Sequence, residues 1–359
     1  MEQNKEIMQM LDLMVCPAFC VKDGSVIAVN AAAAQQLLTV GTPVADILVT
    51  GQQEYSEFEG GCLYLTVNIA NARCGASVKR VGDLDIFVTE HDTAQAELQA
   101  LALAARELRT PLANTMSSAD SLFSMPLLSE NEEAAEYAAF INRSIYRMHR
   151  IILNMSDAYL YTQNEAANME IRDIGSLLEE QFRQSAEVFA SVGIALHFTP
   201  LRETAYGLVD AEKLERAVSN ILSNAGKFMP DGGTIDAKLT RKGSMLYLTV
   251  HDSGSGITDN VMSSVYHRYL RQPGIEEGRQ GIGLGMVLIR SAAAIHGGTV
   301  LIEKTAETGT RLTMTIPIRQ DTSLVRSPVP HVDYAGELDH RLLELSESLP
   351  PQLYRTDKN

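Results

Sequence analysis

The sequence has no apolar run as long as a membrane-spanning helix, and residues 1–6 lack the pattern of a secretory signal peptide. We therefore expect a cytoplasmic protein with no membrane span. Basic residues are outnumbered, since 30 Lys and Arg stand against 45 Asp and Glu, which gives a net charge of −15. Nucleic acids and anionic membranes are bound through basic surfaces, so this balance argues against both as partners.

Cysteine is scarce, and all four cysteines fall in the first quarter of the chain: Cys16, Cys20, Cys62 and Cys74. In a cytoplasmic chain they are not expected to form structural disulfides. The spacing of Cys16 and Cys20 differs from the C-x-x-C of zinc and redox sites. Core packing is therefore the favoured interpretation, and a redox or metal sensor is the alternative.

A chain of 359 residues is too long for one core and predicts about two to four domains. Residues 211–228 carry apolar side chains at helical spacing, which predicts an amphipathic helix. Asn220 and Asn224 lie one turn apart on one face of it. Amide oxygens are neutral, hard ligands suited to Mg²⁺ beside a triphosphate, although polar positions on any surface helix would look the same.

Asp252 follows an alternating run, residues 245–250, that predicts a strand. A carboxylate at a strand end can accept a hydrogen bond from an exocyclic amino group. Gly254 and Gly256 allow the backbone to turn closely around a flat ring. An ordinary Asp/Gly turn would have the same residues.

Three glycines, Gly281, Gly283 and Gly285, precede a predicted helix at residues 287–295. Accessible backbone N–H groups and the positive end of a helix together make a cradle for phosphate. Between this motif and Asp252 lie residues 258–280, enough for a mobile cover over a nucleotide.

The three motifs in this order resemble the ATP-binding domain of sensor histidine kinases, in the superfamily shared with gyrase and heat-shock chaperones. The resemblance implies ATP and Mg²⁺ as cofactors, with Asn224 as metal ligand, Asn220 supporting the metal and its water, and Lys227 at a phosphate. It also implies that Asp252 selects adenine. The residues assigned to ATP are Asn220, Asn224, Lys227, Asp252, Gly254, Gly256, Tyr266, Arg268, Gly281, Gly283 and Gly285.

Residues 106–112, Arg-Glu-Leu-Arg-Thr-Pro-Leu, resemble the phosphoacceptor motif of the same family, in which histidine stands first. Arg106 occupies that position. A guanidinium stays protonated and is not a nucleophile at neutral pH, so autophosphorylation at the usual site is expected to be absent. His149 and His91 lack the flanking acid and threonine of the family motif.

Glu107 and Thr110 are retained three residues apart on one helical face. In the family, such a pair positions groups for phosphotransfer, and the hydroxyl can orient the water that dephosphorylates a response regulator. A phosphatase role is thus open, as is the interpretation that both residues are remnants. The helical hairpin, residues 98–161, exposes two apolar stripes, which predicts a four-helix bundle formed by a homodimer.

Residues 18–89 show two strands, short helices and three more strands, an order that resembles a PAS sensor domain. No residue there identifies a ligand. The tail places leucines at coiled-coil-like spacing, Leu338, Leu342, Leu345 and Leu349. We expect an amphipathic helix that docks on this chain or on a partner.

These patterns together predict a multidomain α+β protein with an α/β-sandwich ATP-binding domain of the GHKL superfamily. Its predicted parts are a PAS-like sensor (1–92), a linker helix and dimerisation hairpin (93–165), the ATP-binding domain (166–320) and the tail (321–359). The predicted function is Mg-ATP binding in two-component signal transduction, with a response regulator or a partner kinase as the partner. The alternatives are a response-regulator phosphatase and a non-enzymatic regulator, including a heterodimer partner of an active kinase.

Overall fold

The computed structural model describes residues 11, 14, 16–90, 92–125, 131–163, 168–256, 283–305, 308–318 and 338–355. The described residues form an N-terminal α/β unit, a helical hairpin, a second α/β unit and a short C-terminal segment. Among these residues, no helix combines the length and the apolar character needed to span a membrane.

The N-terminal unit contains the elements that the sequence predicts, in the same order. They are β1 (Ala18–Lys22), β2 (Ser25–Val29), α1 (Ala31–Gln35), α2 (Val44–Ile47), α3 (Gln52–Glu57), β3 (Cys62–Ile69), β4 (Ala72–Val81) and β5 (Leu84–Thr89). Asn30 begins α1, because its Oδ1 accepts hydrogen bonds from the backbone N–H of Ala33 at 2.9 Å and of Ala18 at 3.0 Å. Phe19 and Phe87 stack at 4.7 Å in the core of the unit.

Two long helices follow, α4 (Asp92–Phe123) and α5 (Glu132–Gln163). They pack along each other as an antiparallel hairpin, as the sequence predicts, and bury Leu98, Leu112 and Ile152 between them. Pro111 lies inside α4.

The second α/β unit contains the two helices and the strand that the sequence predicts at residues 211–228, 287–295 and 245–250. It comprises β6 (Glu170–Asp173), α6 (Ile174–Ala190), β7 (Ile194–Thr199), β8 (Tyr206–Val209), α7 (Ala211–Lys227), β9 (Gly233–Lys242), β10 (Met245–Asp252), α8 (Leu284–Ile295), β11 (Val300–Lys304) and β12 (Thr310–Pro317). Strand β7 runs parallel to β9, while β10 pairs antiparallel with both β9 and β12. Strands β6 and β8 form a separate two-stranded sheet.

The two α/β units share one sheet, a feature that the sequence did not predict. The order of its strands is β2-β1-β5-β4-β3-β11-β12-β10-β9-β7. At the junction, β3 pairs antiparallel with β11, and Tyr64 lies opposite Val300. The joint sheet thus satisfies backbone groups on two strands that would otherwise be edges.

The C-terminal segment is less helical than the leucine spacing predicts. Helix α9 is only His340–Glu344, and a single 3₁₀ turn, Pro351–Tyr354, follows later. Pro350 restricts the residue before it to extended conformations, which keeps a helix from continuing through Leu349. The segment packs on α5, α6 and α7 of its own chain, one of the two docking alternatives.

Candidate functional site

Helix α7 positions most of the predicted site residues. Asp210 begins the helix, because its Oδ1 accepts a hydrogen bond from the backbone N–H of Lys213 at 3.1 Å. Leu214, Ala217 and Val218 are fully buried in the core of the second α/β unit. With that face packed inward, the polar positions of α7 are directed toward α5, α8 and the C-terminal segment.

Asn220 lies at the meeting point of three helices. Its side chain is buried, and its Nδ2 donates to the carbonyl oxygen of Arg216 at 2.8 Å. Its Oδ1 accepts a hydrogen bond from Nη2 of Arg150 on α5 at 3.0 Å. A Cβ at Gly285, on the first turn of α8, would lie only 2.9 Å from the same Oδ1, so the glycine allows α8 to approach.

Asn224 and Lys227 occupy the next turn of α7. The Asn224 side chain is partly buried and makes no hydrogen bond to another described residue. Lys227 is the last residue of the helix, and its Nζ lies 3.4 Å from Oε2 of Glu347 in the C-terminal segment. Burial lowers the pKa of Lys227, and the Glu347 carboxylate partly offsets that effect.

Asp252 ends β10 with one carboxylate oxygen engaged. Its Oδ1 accepts hydrogen bonds from the backbone N–H groups of Gly254 at 3.0 Å and Thr310 at 3.3 Å. Its Oδ2 accepts none from the described residues. Desolvation raises the pKa of this carboxyl group, and the two backbone donors oppose the shift.

The described glycines of the two motifs lie close to other candidate site residues, Gly254 at Asp252 and Gly285 at Asn220. Gly256 lies against the backbone of Gly309. Gly283 begins α8 with a φ of +79°, a left-handed conformation that favours glycine, and a Cβ there would meet no atom within 4 Å. Tyr266, Arg268, Gly281 and the rest of the predicted cover lie outside the described residues.

The residues at the end of the site predicted for adenine fit a bound nucleotide. Two residues predicted for the metal and the phosphate are instead engaged with other side chains. At the end predicted for adenine, Oδ2 of Asp252 accepts no hydrogen bond from the described residues, and Gly283 lies at a helix N-terminus with no described atom near a built Cβ. Asn220 and Lys227, predicted for the metal and phosphate, are held by Arg150 and Glu347. Asn224 remains available.

The residues of the phosphoacceptor-like motif lie on α4, and the described residues predicted for ATP lie on or beside α7, β10 and α8. Arg106, Glu107 and Thr110 are exposed on α4. His149 on α5 is partly buried and lines a cavity of about 390 Å³ with Arg109. Desolvation, helped by Arg109 and Arg216, lowers the pKa of His149, and Glu344 opposes the shift.

A buried charge cluster joins α5, α7 and the C-terminal segment, and sequence reasoning missed it. Arg216 is fully buried, 2.7 Å from Glu344 Oε1 and 2.9 Å from Asp157 Oδ2. Arg150 lies 3.7 Å from Glu344 and 3.6 Å from Glu347. The sequence offers no local signal for this cluster, since its members are up to about two hundred residues apart and sit in helical patterns typical of solvated faces.

Comparison with known proteins assigns the second α/β unit. Residues 209–320 match the family of histidine kinase-, DNA gyrase B- and HSP90-like ATPases. The "Histidine protein kinase DivJ" of Caulobacter vibrioides is 29% identical over 258 residues, which cover 67% of this chain and 42% of that protein. The "Sensor protein SrrB" of Staphylococcus aureus is 23% identical over 236 residues, covering 64% of this chain and 40% of that protein.

Among solved structures, full-length ShkA in complex with AMPPNP aligns with a TM-score of 0.45 and 21% identity, covering 61% of this chain and 46% of that one. The chain spans less than half the length of each of these relatives. The match to the ATPase family contains α7, β10 and α8, the elements that carry the candidate site. The chain is thus similar to sensor histidine kinases, and residues 209–320 match their ATPase family.

Proposed function

We propose that this protein binds Mg-ATP and acts in two-component-type signal transduction, without autophosphorylation at position 106. The observation that carries the proposal is Asp252, buried at the end of β10, whose Oδ1 accepts two backbone hydrogen bonds and whose Oδ2 accepts none from the residues that the structure describes. A partner with an exposed amino group would satisfy that oxygen, and adenine has one.

In this proposal, each candidate residue binds the part of Mg-ATP that suits its chemistry. Asp252 accepts the adenine amino group, while Gly254 and Gly256 form the turn beside the ring. Gly283 and Gly285 present the N-terminus of α8 to the phosphates. Asn224 would hold Mg²⁺, with Asn220 supporting the metal and its water and Lys227 at a phosphate. Bound Mg-ATP would supply a γ-phosphoryl group for transfer.

Arg106 is the reason to expect no transfer to the usual position. It is exposed on α4, so the absence of a nucleophile there follows from its guanidinium group and not from burial. A chain of this kind would use ATP as a conformational ligand and regulate a partner by binding, including as the heterodimer partner of an active kinase.

Dephosphorylation of a response regulator is a second candidate function. Glu107 and Thr110 are both exposed on α4, and neither side chain is tied up in a hydrogen bond with the described residues. A carboxylate and a hydroxyl in that state are free to orient an attacking water on a docked partner.

The remaining parts of the proposal concern organisation. The N-terminal unit would be a PAS-like sensor, and the α4–α5 hairpin would form a four-helix bundle with a second copy of the chain. The expected partner is a response regulator or a kinase of the same family.

The test is to incubate the purified protein with γ-labelled ATP and Mg²⁺ while measuring nucleotide affinity by calorimetry. We expect ATP binding without acid-labile label. We also expect Asp252→Asn to weaken binding by roughly tenfold or more, because a carboxylate acceptor is replaced by a side chain that can present a donor. Acid-labile label on the wild-type protein would overturn the argument from Arg106. If neither the wild type nor the variant bound ATP, the proposal of ATP binding would be wrong.

A further inference from the structure

The C-terminal segment, residues 338–355, is anchored against the rest of the chain at both ends. Leu343, Leu345 and Leu349 are buried at 0–2% exposure. At its far end, the carbonyl oxygen of Tyr354 accepts a hydrogen bond from Asn142 at 3.1 Å, and Arg355 pairs with Glu132 at 2.7 Å. The segment therefore has a defined position relative to α5 and α7.

Between these anchors, the segment contacts the last turns of α7. Oγ of Ser348 donates to the carbonyl oxygen of Ser223 at 3.0 Å, and a Cβ on Gly226 would lie 3.0 Å from Cβ of Ser348. Glu347 pairs with Lys227 at 3.4 Å, where both side chains are at most 20% exposed. A carboxylate thus lies against the lysine to which the proposed function assigns a phosphate.

A second contact connects the same carboxylate to Asn220. Arg150, 4% exposed, lies between Glu344 and Glu347, while its Nη2 donates to Asn220 Oδ1. That oxygen is the atom with which Asn220 would face the metal or its water. One acidic segment therefore engages two of the three α7 side chains that the proposed function assigns to ATP and Mg²⁺.

Electrostatic repulsion opposes simultaneous binding of the C-terminal segment and a nucleotide at this site. A triphosphate brought to Lys227 would meet the Glu347 carboxylate in a partly desolvated site, where repulsion between like charges is much stronger than in water. The Asn220 oxygen, in turn, is shielded by a guanidinium that would repel Mg²⁺. Nucleotide binding thus requires that Glu347 separates from Lys227 and that Arg150 separates from Asn220.

We propose that residues 338–355 are an intramolecular inhibitor of nucleotide binding. In this arrangement, the Glu347 carboxylate competes with a nucleotide phosphate for Lys227, and Arg150, held by Glu344 and Glu347, competes with the metal for Asn220. The inference rests on the proposed function, because it takes Mg-ATP as the ligand excluded. Since binding linkage is reciprocal, Mg-ATP displaces the segment to the same extent that the segment weakens Mg-ATP binding.

The test compares Mg-ATP affinity among full-length variants by calorimetry. Glu347→Gln keeps the size of the side chain and removes its charge, so we expect binding roughly tenfold tighter than that of the wild type. Glu132→Gln is the matched control, because it removes a Glu–Arg pair between α5 and the same segment far from Lys227. We expect it to bind within about twofold of the wild type.

The outcomes separate this inference from the proposed function. Equal, measurable binding by the wild type and Glu347→Gln would overturn the inhibition and leave ATP binding standing. No binding by either would overturn both. Should Glu347→Gln fold poorly by circular dichroism, Glu347→Asp retains the charge but shortens the reach to Lys227, and the same tightening is expected.

Hydrogen exchange supplies an independent measurement on the wild-type chain. With saturating Mg-ATP, the amides of residues 340–354 should exchange faster than in the free protein, because the nucleotide displaces the segment. Unchanged or slower exchange in this segment at saturation would overturn the proposal.

Discussion

Position 106 places an exposed guanidinium where the kinase family motif has histidine. Arg106 is exposed on α4, so a side chain substituted there meets no packing constraint within the described chain. The arginine at this position removes a nucleophile, because a guanidinium cannot present a lone pair at neutral pH while a neutral imidazole can. Substitution of Arg106 therefore tests whether the ATPase domain is competent for phosphoryl transfer.

We predict that Arg106→His gains acid-labile label from γ-labelled ATP and Mg²⁺, above the background of the wild type. The restored imidazole stands beside Glu107, which would orient it and accept its proton. Arg106→Gln is the matched control and should stay unlabelled, since it removes the charge without adding a nucleophile. If Arg106→His binds ATP and yet remains unlabelled, the non-enzymatic regulator is favoured.

His296 is a buried residue whose tautomer is set by hydrogen bonds with two backbone groups. Nε2 accepts a hydrogen bond from the N–H of Asp210 at 2.9 Å, so the ring proton is on Nδ1, which donates to the carbonyl oxygen of Ala292 at 2.7 Å. Desolvation lowers the pKa of His296, although Ala292 and Asp210 oppose the shift. A second ring proton would remove the acceptor that helps to position the start of α7.

We predict that His296 makes the folded state less stable as the pH falls below about 6.5, where the unfolded histidine begins to take up a proton. Above that pH the residue is neutral in both states and contributes no slope. The slope is at most about 1.4 kcal/mol per pH unit, the value for one proton. Urea unfolding at pH 7.5 and 5.5 measures it.

His296→Gln keeps an oxygen that can accept the Asp210 N–H and does not titrate, so its stability should fall less between the two pH values than that of the wild type. Equal losses in the two proteins would contradict the assignment to His296.

The pairing of β3 with β11 is the element that joins the N-terminal unit to the ATPase domain. Gly61 precedes β3 with a φ of +83°, and a Cβ there would lie 2.2 Å from the carbonyl oxygen of Ile302 on β11. Further contacts reinforce the junction, since the hydroxyl of Tyr247 donates to Glu54 at 3.0 Å and Lys242 pairs with Glu57 at 3.3 Å. These contacts connect the N-terminal unit to the sheet that contains β10, the strand that ends at Asp252.

We predict that Gly61→Ala destabilises the protein by about 1–3 kcal/mol, because both the left-handed backbone and the close approach of β11 exclude a methyl group. The neighbouring Gly60→Ala is the control, since a Cβ at Gly60 meets no atom within 4 Å. Urea unfolding measures both variants. Hydrogen exchange in β11 should rise only in Gly61→Ala, and similar stability of the two variants would contradict the close packing at this junction.

An apolar surface along the hairpin is left uncovered by the other residues that the structure describes. Tyr137, Phe140, Ile141 and Met148 on α5 are 43–63% exposed, and their spacing of three, four and seven residues places them on one side of the helix. Leu108 on α4 is 48% exposed. Apolar stripes of this kind are normally buried by a second hairpin.

We predict that the protein is a dimer in solution and that Phe140→Glu raises its dissociation constant by roughly a hundredfold or more, because a charge would have to be buried in the bundle. Leu37→Glu is the control, since Leu37 is 79% exposed in the N-terminal unit, away from the hairpin. Analytical ultracentrifugation over a concentration series distinguishes them. A monomeric wild type, or equal effects of the two substitutions, would contradict the four-helix bundle.

Local patterns were sufficient for most elements of this protein, whereas the roles assigned to the site residues stay predictions. Alternation predicted β10, apolar spacing predicted α7 and the hairpin, and three short motifs identified the ATPase domain, because these features depend on periodicity and residue type within a few turns of chain. Arg106 is of the same kind, since the loss of a nucleophile follows from the side chain alone.

Contacts between distant segments were decided by folding. The pairing of β3 with β11 depends on which two edges meet, and the strand patterns of isolated edges do not encode their partner. Glu347 reaches Lys227 and Arg150 reaches Asn220 only because the C-terminal segment and α5 pack on α7, across 120 and 70 residues of chain. Of the four spaced leucines of the tail, Leu345 and Leu349 are buried and Leu338 and Leu342 are only partly buried. The described tail forms no long helix, because Pro350 keeps a helix from continuing through Leu349.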